Sequence, residues 1–254
     1  MATIASGTRS EIDRERSFFL KMALAMAFVI VAGFSFNVVT GRSTFAAPVL
    51  LHVHAFVFFG WVVLYVTQAF LVVGGSVHLH RRLGILALLW VPVMVVLGLA
   101  VTRHSLRAIG GPPFFDMNEF LFGNSLGLFA FAITVGAALM LRRRPDWHRR
   151  LMCCAMASLT GPGFGRLLPM PFLIPWGWWI SAVATPMIFM AIGMMRDRRG
   201  HGRVHAGWLW GAGILIASQL LADAIAYGPL GMQITRDLVA GTPGALRGMQ
   251  AFFP

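Results

Sequence analysis

Charged residues are scarce in this chain of 254 residues, because Asp, Glu, Lys and Arg together make up only 12% of it. A soluble domain carries about 25% of these residues, so the scarcity argues against a water-soluble fold. Hydrophobic residues account for 57% and the mean hydropathy is +0.74. A helix needs about 20 apolar residues to cross the hydrocarbon core, and several runs of that length are present. The sequence therefore predicts an integral membrane protein.

Acids are especially rare, with nine Asp and Glu against 21 Lys and Arg, which gives a net charge of +12. An excess of this size can indicate nucleic-acid binding. Here the arginines flank apolar runs and no pattern of base-stacking aromatics accompanies them, so we expect no nucleic-acid partner. The two cysteines, Cys153 and Cys154, are adjacent, which makes a disulfide between them geometrically awkward. We expect them to be buried small apolar residues.

The apolar runs predict an all-α fold, a bundle of seven transmembrane helices that forms one domain. Fifteen Lys and Arg residues flank these runs on the side that carries the N-terminus, against six on the other side. Because Lys and Arg favour cytoplasmic loops, we expect segment 1–17 in the cytoplasm and tail 229–254 in the periplasm. The first run exceeds the apolar length of a signal peptide, so we expect it to be retained. The predicted spans are 18–40, 49–74, 84–102, 119–141, 150–168, 173–195 and 206–228.

The second run, LLHVHAFVFFGWVVLYVTQAFLVV, carries polar side chains within an otherwise apolar helix. At about 100° per residue, His54, Trp61, Tyr65 and Gln68 fall on one stripe, whereas His52 falls on the opposite face. We therefore expect His54 and Gln68 to face the bundle. His52 is expected at the outer interface or against another helix.

Further polar residues are predicted near the outer membrane boundary. Asp223 follows Gln219 by one helical turn, and an ionisable group inside a membrane is a functional candidate. Arg166 follows a helix break predicted at Pro162. One interpretation is a polar cavity that opens outward; the other is a set of interhelical hydrogen bonds with an ion pair from Arg166 to Asp223 or Glu119. The proposed intramembrane site comprises His54, Gln68, His104, Glu119, Arg166, Gln219 and Asp223.

Histidines next to arginine recur at the predicted cytoplasmic ends of the helices. HRRL occurs twice, beginning at His80 and at His148, and His205 holds a similar position in HGRVHAG. Helix starts carry unpaired N–H groups and a partial positive charge, so this surface contacts lipid headgroups or holds a phosphate, a metal or a haem edge. His201 and His205 form an HxxxH pair, which would chelate a metal ion if both lay on one helix.

The order of LHVHAFVFFGWVVLYVTQAFLV, HRRLG, DWHRRLM and RVHAGWLWG resembles a family of uncharacterised bacterial multi-pass membrane proteins. The resemblance runs from about residue 48 to residue 228 and implies a location in the bacterial inner membrane. A weaker similarity is to b-type haem membrane proteins, in which histidines of neighbouring helices ligate haem from both faces. That similarity implies two ligand pairs: His54 with His104 on the outer side, and His80 with His148 on the inner side.

These observations lead to three functional hypotheses. The first is a redox protein that binds haem b or a transition metal, because histidine suits either ligand. The second is a transporter or binding protein for a small anion or a proton-coupled solute, in which Asp223 and His54 exchange protons and Arg166 holds the anion. The third is a membrane subunit with a structural role only. In each case the expected partner is the lipid bilayer.

Overall fold

The structure is a computed structural model that describes the backbone of residues 2–251 and the side chains of residues 11–251. These residues form helices joined by short loops, and no strand occurs among them. The all-α prediction is therefore confirmed. The helices are α1 (Ala2–Val39), α2 (Val49–Val73), α3 (Val77–Gly84), α4 (Ala87–Ile109), α5 (Met117–Met140), α6 (Pro145–Ser158), α7 (Gly161–Leu167), α8 (Gly177–Trp179), α9 (Thr185–His201), α10 (Ala206–Ala226) and α11 (Pro229–Val239).

Within the described residues, six helices are long and apolar enough to cross a membrane. In one of them, a π-helical turn at Ile180–Ala184 joins α8 and α9 into a single rod. Large apolar side chains such as Phe28 and Phe56 are 72% and 76% exposed on these helices. Such a surface suits contact with the lipid bilayer. The chain is a multi-pass membrane protein. The six helices are Glu11–Val39, Val49–Val73, Ala87–Ile109, Met117–Met140, Gly177–His201 and Ala206–Ala226.

The fifth predicted span, 150–168, is not one continuous helix. α6 ends at Ser158 and α7 begins at Gly161, with Pro162 in its first turn. Proline lacks the backbone N–H that a helix interior needs, and its ring clashes with the preceding turn. The break predicted at this proline is therefore present. α6 lies at the centre of the bundle, where it packs on α1, α5, α9 and α10.

Small residues let the central helices approach closely. Cys153 and Cys154 on α6 are free thiols, 0% and 1% exposed, as predicted. A Cβ on Gly211 of α10 would stand 2.4 Å from Cys154 Sγ, and one on Gly33 of α1 would stand 2.3 Å from the carbonyl oxygen of Gly163 on α7. Glycine permits both contacts, as is usual where membrane helices pack tightly.

The polar residues collect at the two ends of the bundle. The end that holds the α2–α3, α5–α6 and α9–α10 connections is called the arginine-rich end. The other end, called the opposite end, holds the α1–α2 and α4–α5 connections and the C-terminal tail. Along α2, His54 stands near the opposite end and Gln68 near the arginine-rich end, a rise of about 21 Å at 1.5 Å per residue.

The C-terminal tail, for which the sequence carries no recognisable motif, folds back on the opposite end. α11 packs against α4 and α5, and the 3₁₀ turn Pro243–Leu246 packs against α4. Arg247 donates hydrogen bonds to the carbonyl oxygens of Gly110, Pro112 and Phe115. The tail is thereby fixed to the connection between α4 and α5.

Candidate functional sites

The polar stripe predicted on α2 faces the bundle. Trp61 is only 2% exposed, and its ring lies edge-on to that of Phe131 with the centroids 5.5 Å apart. His54 and Gln68 are half-buried near the two ends of the stripe. His52 is exposed, and its Nε2 lies 3.1 Å from a backbone carbonyl oxygen of the α1–α2 connection. The stripe therefore brings polar atoms into two separate places in the bundle.

His54 and Arg166 lie together at the opposite end. The His54 ring stacks on Phe58 with the centroids 4.1 Å apart, and its Nδ1 is buried without a hydrogen-bond partner. Arg166 is the charged residue that acts electrostatically on this imidazole. Its Cζ lies 3.9 Å from the centroid of the Phe34 ring, and its Nη1 donates to the carbonyl oxygen of Pro162 at 2.7 Å. A guanidinium has five N–H donors, so most of its capacity is unused by residues 11–251.

Gln219 and Asp223 lie on α10 in a chain of hydrogen bonds with two tryptophans. Trp179 Nε1 donates to Asp223 Oδ2 at 2.8 Å, and Gln219 Nε2 donates to Asp223 Oδ1 at 2.7 Å. Trp178 Nε1 donates to Gln219 Oε1 at 2.8 Å. Asp223 is therefore satisfied by two neutral donors, and no cation lies within ion-pair distance of it among residues 11–251.

Glu119 is buried near the start of α5, next to the same chain of hydrogen bonds. It is 5% exposed, and the charged groups that act on it are Asp116 and Asp223. Tyr227 donates its hydroxyl hydrogen to Asp116 Oδ2 at 3.0 Å. Glu119, Asp116 and Asp223 thus lie close to one another and to Gln219.

The seven residues proposed for one intramembrane site do not share one pocket. His54 with Arg166 forms one group, Glu119 with Gln219 and Asp223 forms a second, and His104 and Gln68 lie apart from both. No hydrogen bond or ion pair within residues 11–251 joins Arg166 to Glu119 or Asp223. The reason is lateral placement: α7, which carries Arg166, packs on α1, whereas α10 packs on α5 and α6. Equal depth in the membrane does not make residues neighbours.

His104 lines a groove of about 460 Å³ at the opposite end. The last turns of α4, the start of α2 and the C-terminal tail form its walls. Arg103 and Arg107 line it as well, and Arg107 Nη1 donates to the carbonyl oxygen of Leu238 at 3.0 Å. Within residues 11–251 the ring of His104 makes no contact with that of His54, so the outer pair implied by the haem similarity is not assembled here.

At the arginine-rich end, His80 and His148 come together from different helix pairs. Their ring centroids are 6.2 Å apart and the rings are nearly perpendicular, at 82°. His148 Nδ1 lies 2.8 Å from the carbonyl oxygen of Ala138 and donates to it. In the orientation that satisfies its neighbours, the Gln68 amide donates to the Nδ1 and the carbonyl oxygen of His80 and accepts from Gly84 N–H. Each ring is therefore anchored through Nδ1, and its Nε2 makes no hydrogen bond with residues 11–251.

Burial favours the neutral form of both imidazoles. It lowers the pKa of His80 and of His148, and the nearby His148 ring lowers the pKa of His80 further. The Ala138 carbonyl partly offsets the shift of His148 because it stabilises the protonated ring. Neutral imidazole is the form that binds a metal.

His201 and His205 do not lie on one helix. α9 ends at His201, Gly202 follows with a positive φ of 72°, and His205 is the N-cap of α10. His205 Nδ1 accepts a hydrogen bond from Gly207 N–H at 3.0 Å. The HxxxH chelate proposed from the spacing is therefore not formed, because a left-handed glycine separates the two helices.

The most extensive polar cluster is one that the sequence did not predict. Arg150 Nε and Nη2 donate to the two carboxylate oxygens of Asp197, both at 2.8 Å, and both side chains are 3% exposed. Asp197 also accepts from Trp208 Nε1 at 3.0 Å and from His205 N–H at 3.3 Å. Glu15 of α1 completes the cluster, 3.6 Å from Arg150. One sequence signal could have found it: Asp197 is an isolated acid between two arginines, beside an apolar run.

Residues 11–251 contain no group of three or more His, Cys, Asp or Glu side chains that could hold a metal ion. A metal held by such side chains of the described residues would thus have two of these ligands at most. Comparison with known proteins adds no assignment, since no family model, curated protein or solved structure gives a significant match.

Proposed function

We propose that this membrane protein binds haem iron, or another transition-metal ion, between His80 and His148, and that its role is redox chemistry. The observation that carries the proposal is the pair of perpendicular rings with centroids 6.2 Å apart. A metal–nitrogen bond to histidine is about 2.0–2.1 Å long, so two histidine nitrogens on one metal ion would stand no more than about 4 Å apart. The centroids lie one ring radius further back on each side. The observed separation fits that arrangement.

The environment of the two rings also supports a metal centre. Ligating histidines usually donate their second ring N–H to a carbonyl or carboxylate, which fixes the ring, and His148 has this bond to Ala138. For His80 to ligate through Nε2, its proton must reside on Nδ1. The Gln68 amide would then turn its oxygen toward that N–H and give up its hydrogen bonds with the His80 carbonyl oxygen and Gly84 N–H.

Haem is favoured over a bare ion because of the number of ligands. Zinc and copper sites generally take three or four protein ligands, and no third His, Cys, Asp or Glu completes a set here in residues 11–251. Haem iron, by contrast, can be held by one or two protein side chains, and His80 and His148 would supply them. The exposed arginines Arg81 and Arg82 beside His80 supply charge for the carboxylates that haem carries.

The test is a comparison of three histidine variants of the protein purified in mild detergent. The absorption spectrum before and after reduction reports haem, and elemental analysis reports other metals. His80→Ala and His148→Ala are expected to lose the bound group, whereas His78→Ala, an exposed histidine of the same helix, keeps it. Folded wild-type protein without haem or metal, or full occupancy in both His80 and His148 variants, would overturn the proposal and favour a structural role.

A second candidate function is the binding or transport of a small anion at His54 and Arg166. It is supported by the orphaned Nδ1 of His54 and by the unused donors of Arg166. Both lie beside the broken helix α6–α7, and interrupted membrane helices often form ligand sites in transporters. Arg166→Lys keeps the charge but removes the planar fork. Loss of acetate- or phosphate-dependent thermal stabilisation in this variant, but not in Arg42→Lys, supports the candidate; identical responses refute it.

The topology belongs to the same proposal: seven crossings in a bacterial inner membrane, with the N-terminus inside and the tail outside. The crossing that adds to the six long helices would be α6 together with α7, which is fifth in chain order. The 23 residues from Pro145 to Leu167 would extend about 34 Å if helical throughout. The resemblance to bacterial multi-pass proteins supports the location. A reporter enzyme that is active only in the periplasm is expected to be active when fused after residue 254. An inactive C-terminal fusion, together with an active fusion at the α2–α3 connection, would show that the orientation is the opposite one.

A further inference from the structure

The groove at His104 has the size of a ligand site. Its volume of about 460 Å³ falls within the range of about 300–1,000 Å³ for small-molecule pockets. Leu50 from the start of α2 and Pro243 from the tail provide apolar walls. It lies some 24 Å along α4 from the end near His80, at 1.5 Å per residue, and uses none of the residues of the proposed metal centre.

The basic residues of the groove lie on one wall. Arg103, His104 and Arg107 are spaced i, i+1 and i+4 on α4, so the two arginines stack one helical turn apart. No acidic residue lines the groove. Arg103 and His104 have no hydrogen-bond or ion-pair partner in residues 11–251, and Arg107 uses one N–H for Leu238. The groove therefore presents unspent donors and positive charge to an occupant.

The wall supplied by the tail is held firmly in place. Gly244, next to Pro243, packs so closely on α4 that a Cβ there would stand 1.9 Å from the carbonyl oxygen of Leu106. Arg247 ties the same turn to the α4–α5 connection through Gly110 and Phe115. The groove is thus a built feature of the fold, closed on one side by the segment that lacks a motif.

We propose that this groove binds the phosphate group of an anionic phospholipid. Three observations lead to this occupant. The charge is complementary to phosphate, and an arginine fork matches its oxygens. Apart from Thr242, the rest of the lining is apolar, which suits the glycerol and first acyl carbons. The groove also opens at the end of a membrane-crossing helix, Ala87–Ile109, where headgroups lie.

The experiment measures thermal unfolding of the detergent-solubilised protein during titration with dihexanoyl phosphatidylglycerol. Stabilisation is expected at lower concentrations than with dihexanoyl phosphatidylcholine, which has the phosphate but no net negative charge. The double variant Arg103→Gln/His104→Gln is expected to need at least about tenfold more phosphatidylglycerol, because it removes the arginine fork and a neighbouring ring donor from the wall that faces the phosphate. Arg103 is exposed and His104 is half-buried, so the single variant Arg103→Gln, which should also need more phosphatidylglycerol, repeats the test without changing the half-buried ring.

Two control variants make the result specific. Arg42→Gln removes another exposed arginine at the same end of the bundle, and Arg166→Lys alters the second candidate anion site; both should respond as the wild type does. The proposal is overturned if the double variant titrates like the wild type. It is also overturned if inorganic phosphate alone stabilises the wild type as strongly as the lipid, since the site would then belong to a free anion.

Discussion

The two ends of the bundle satisfy their charged residues in different ways. At the arginine-rich end, Arg150 and Asp197 are buried and bind each other through two hydrogen bonds of 2.8 Å. At the opposite end, Asp223 is satisfied by neutral donors, and Arg166 is satisfied by a carbonyl oxygen and an aromatic ring. Acid and base are therefore paired at one end and kept apart at the other.

This difference separates residues that hold helices together from residues that are open to a ligand. The Arg150–Asp197 pair joins α6 to α9 and, through Trp208, to α10, and it leaves Asp197 no capacity for an occupant. Arg166 and Arg103 keep unspent N–H donors. The His80–His148 pair is the exception at the arginine-rich end, because the Nε2 of each imidazole makes no hydrogen bond with residues 11–251.

The largest effect is expected from Asp197→Ala, which breaks the paired end. It leaves the Arg150 guanidinium buried without its carboxylate, and removing one partner of a buried ion pair costs about 3–5 kcal/mol. We expect a large fall in the thermal midpoint in detergent, with loss of most folded protein. A midpoint within a few degrees of the wild type would mean that the pair does not hold the helices together.

A matched control for this prediction is Asp146→Ala. Asp146 forms an ion pair with Arg149, but its side chain is 62% exposed, so its removal should cost at most about 1 kcal/mol. The double variant Arg150→Met/Asp197→Leu should recover stability relative to Asp197→Ala, because an apolar pair can replace a buried ion pair. Failure to recover would indicate that Trp208 and His205 depend on Asp197 itself.

The sequence predicted the features that depend on one helix at a time. Apolar runs located the membrane helices, the rotation of 100° per residue separated His54 from His52, and the chemistry of proline located the break at Pro162. Each of these properties follows from local geometry. Of the two histidine pairs that the haem-protein similarity implied, the helix packing brings together His80 and His148.

The features that were missed depend on how the helices are arranged around the bundle. Asp197 and Arg150 stand near span ends, where a charged residue normally signals topology, and nothing local distinguishes an exposed arginine from a buried one. The sequence predicts a similar depth for Arg166 and Asp223, but α7 packs mainly on α1, whereas α10 packs mainly on α5 and α6. The fold of the tail likewise depends on contacts with α4 and α5 that no local pattern encodes.

The next largest effect should come from Gly33→Val, which tests whether packing, rather than charge, holds α7 at the opposite end. Any Cβ at Gly33 meets the backbone of Gly163, which cannot move as a flexible side chain can. Forcing α1 and α7 apart should cost about 3 kcal/mol. The control is Gly127→Ala, since a Cβ there meets nothing within 4 Å and alanine favours the helix. Equal midpoints for the two variants would contradict this account.

A smaller effect is expected from Trp179→Phe, which removes one of the two neutral donors to Asp223. A hydrogen bond to a charged group contributes about 1.5–3 kcal/mol, and the partial exposure of Trp179 places the loss at the lower limit. Thermal unfolding of Trp179→Phe, of Asp223→Asn and of the double variant gives the coupling between the two side chains. Additive effects would show that Asp223 does not depend on the indole.

The smallest effect concerns the response of the arginine-rich end to acid. Burial lowers the pKa of His205, and the nearby Arg150 and Arg149 lower it further, while Asp146 and Asp197 oppose them. The neutral ring accepts from Gly207 N–H, and protonation of Nδ1 abolishes that bond. In the unfolded chain, histidine takes up a proton as the pH falls below its pKa of about 6.5. The contribution of the Gly207–His205 hydrogen bond to stability is therefore present above about pH 6.5 and is lost as the pH falls below it.

His205→Asn separates the cap from its titration. Asparagine is a good N-cap residue, so the variant should match the wild type at pH 8 and fall less than the wild type between pH 7 and pH 5. His205→Ala should lose about 1 kcal/mol at pH 8, the usual contribution of a cap. The measurement is the thermal midpoint at each pH, with the exposed His201→Asn as reference. If the Asn variant and the wild type lose stability in parallel on acidification, the acid sensitivity of this end comes from other groups and not from the α10 cap.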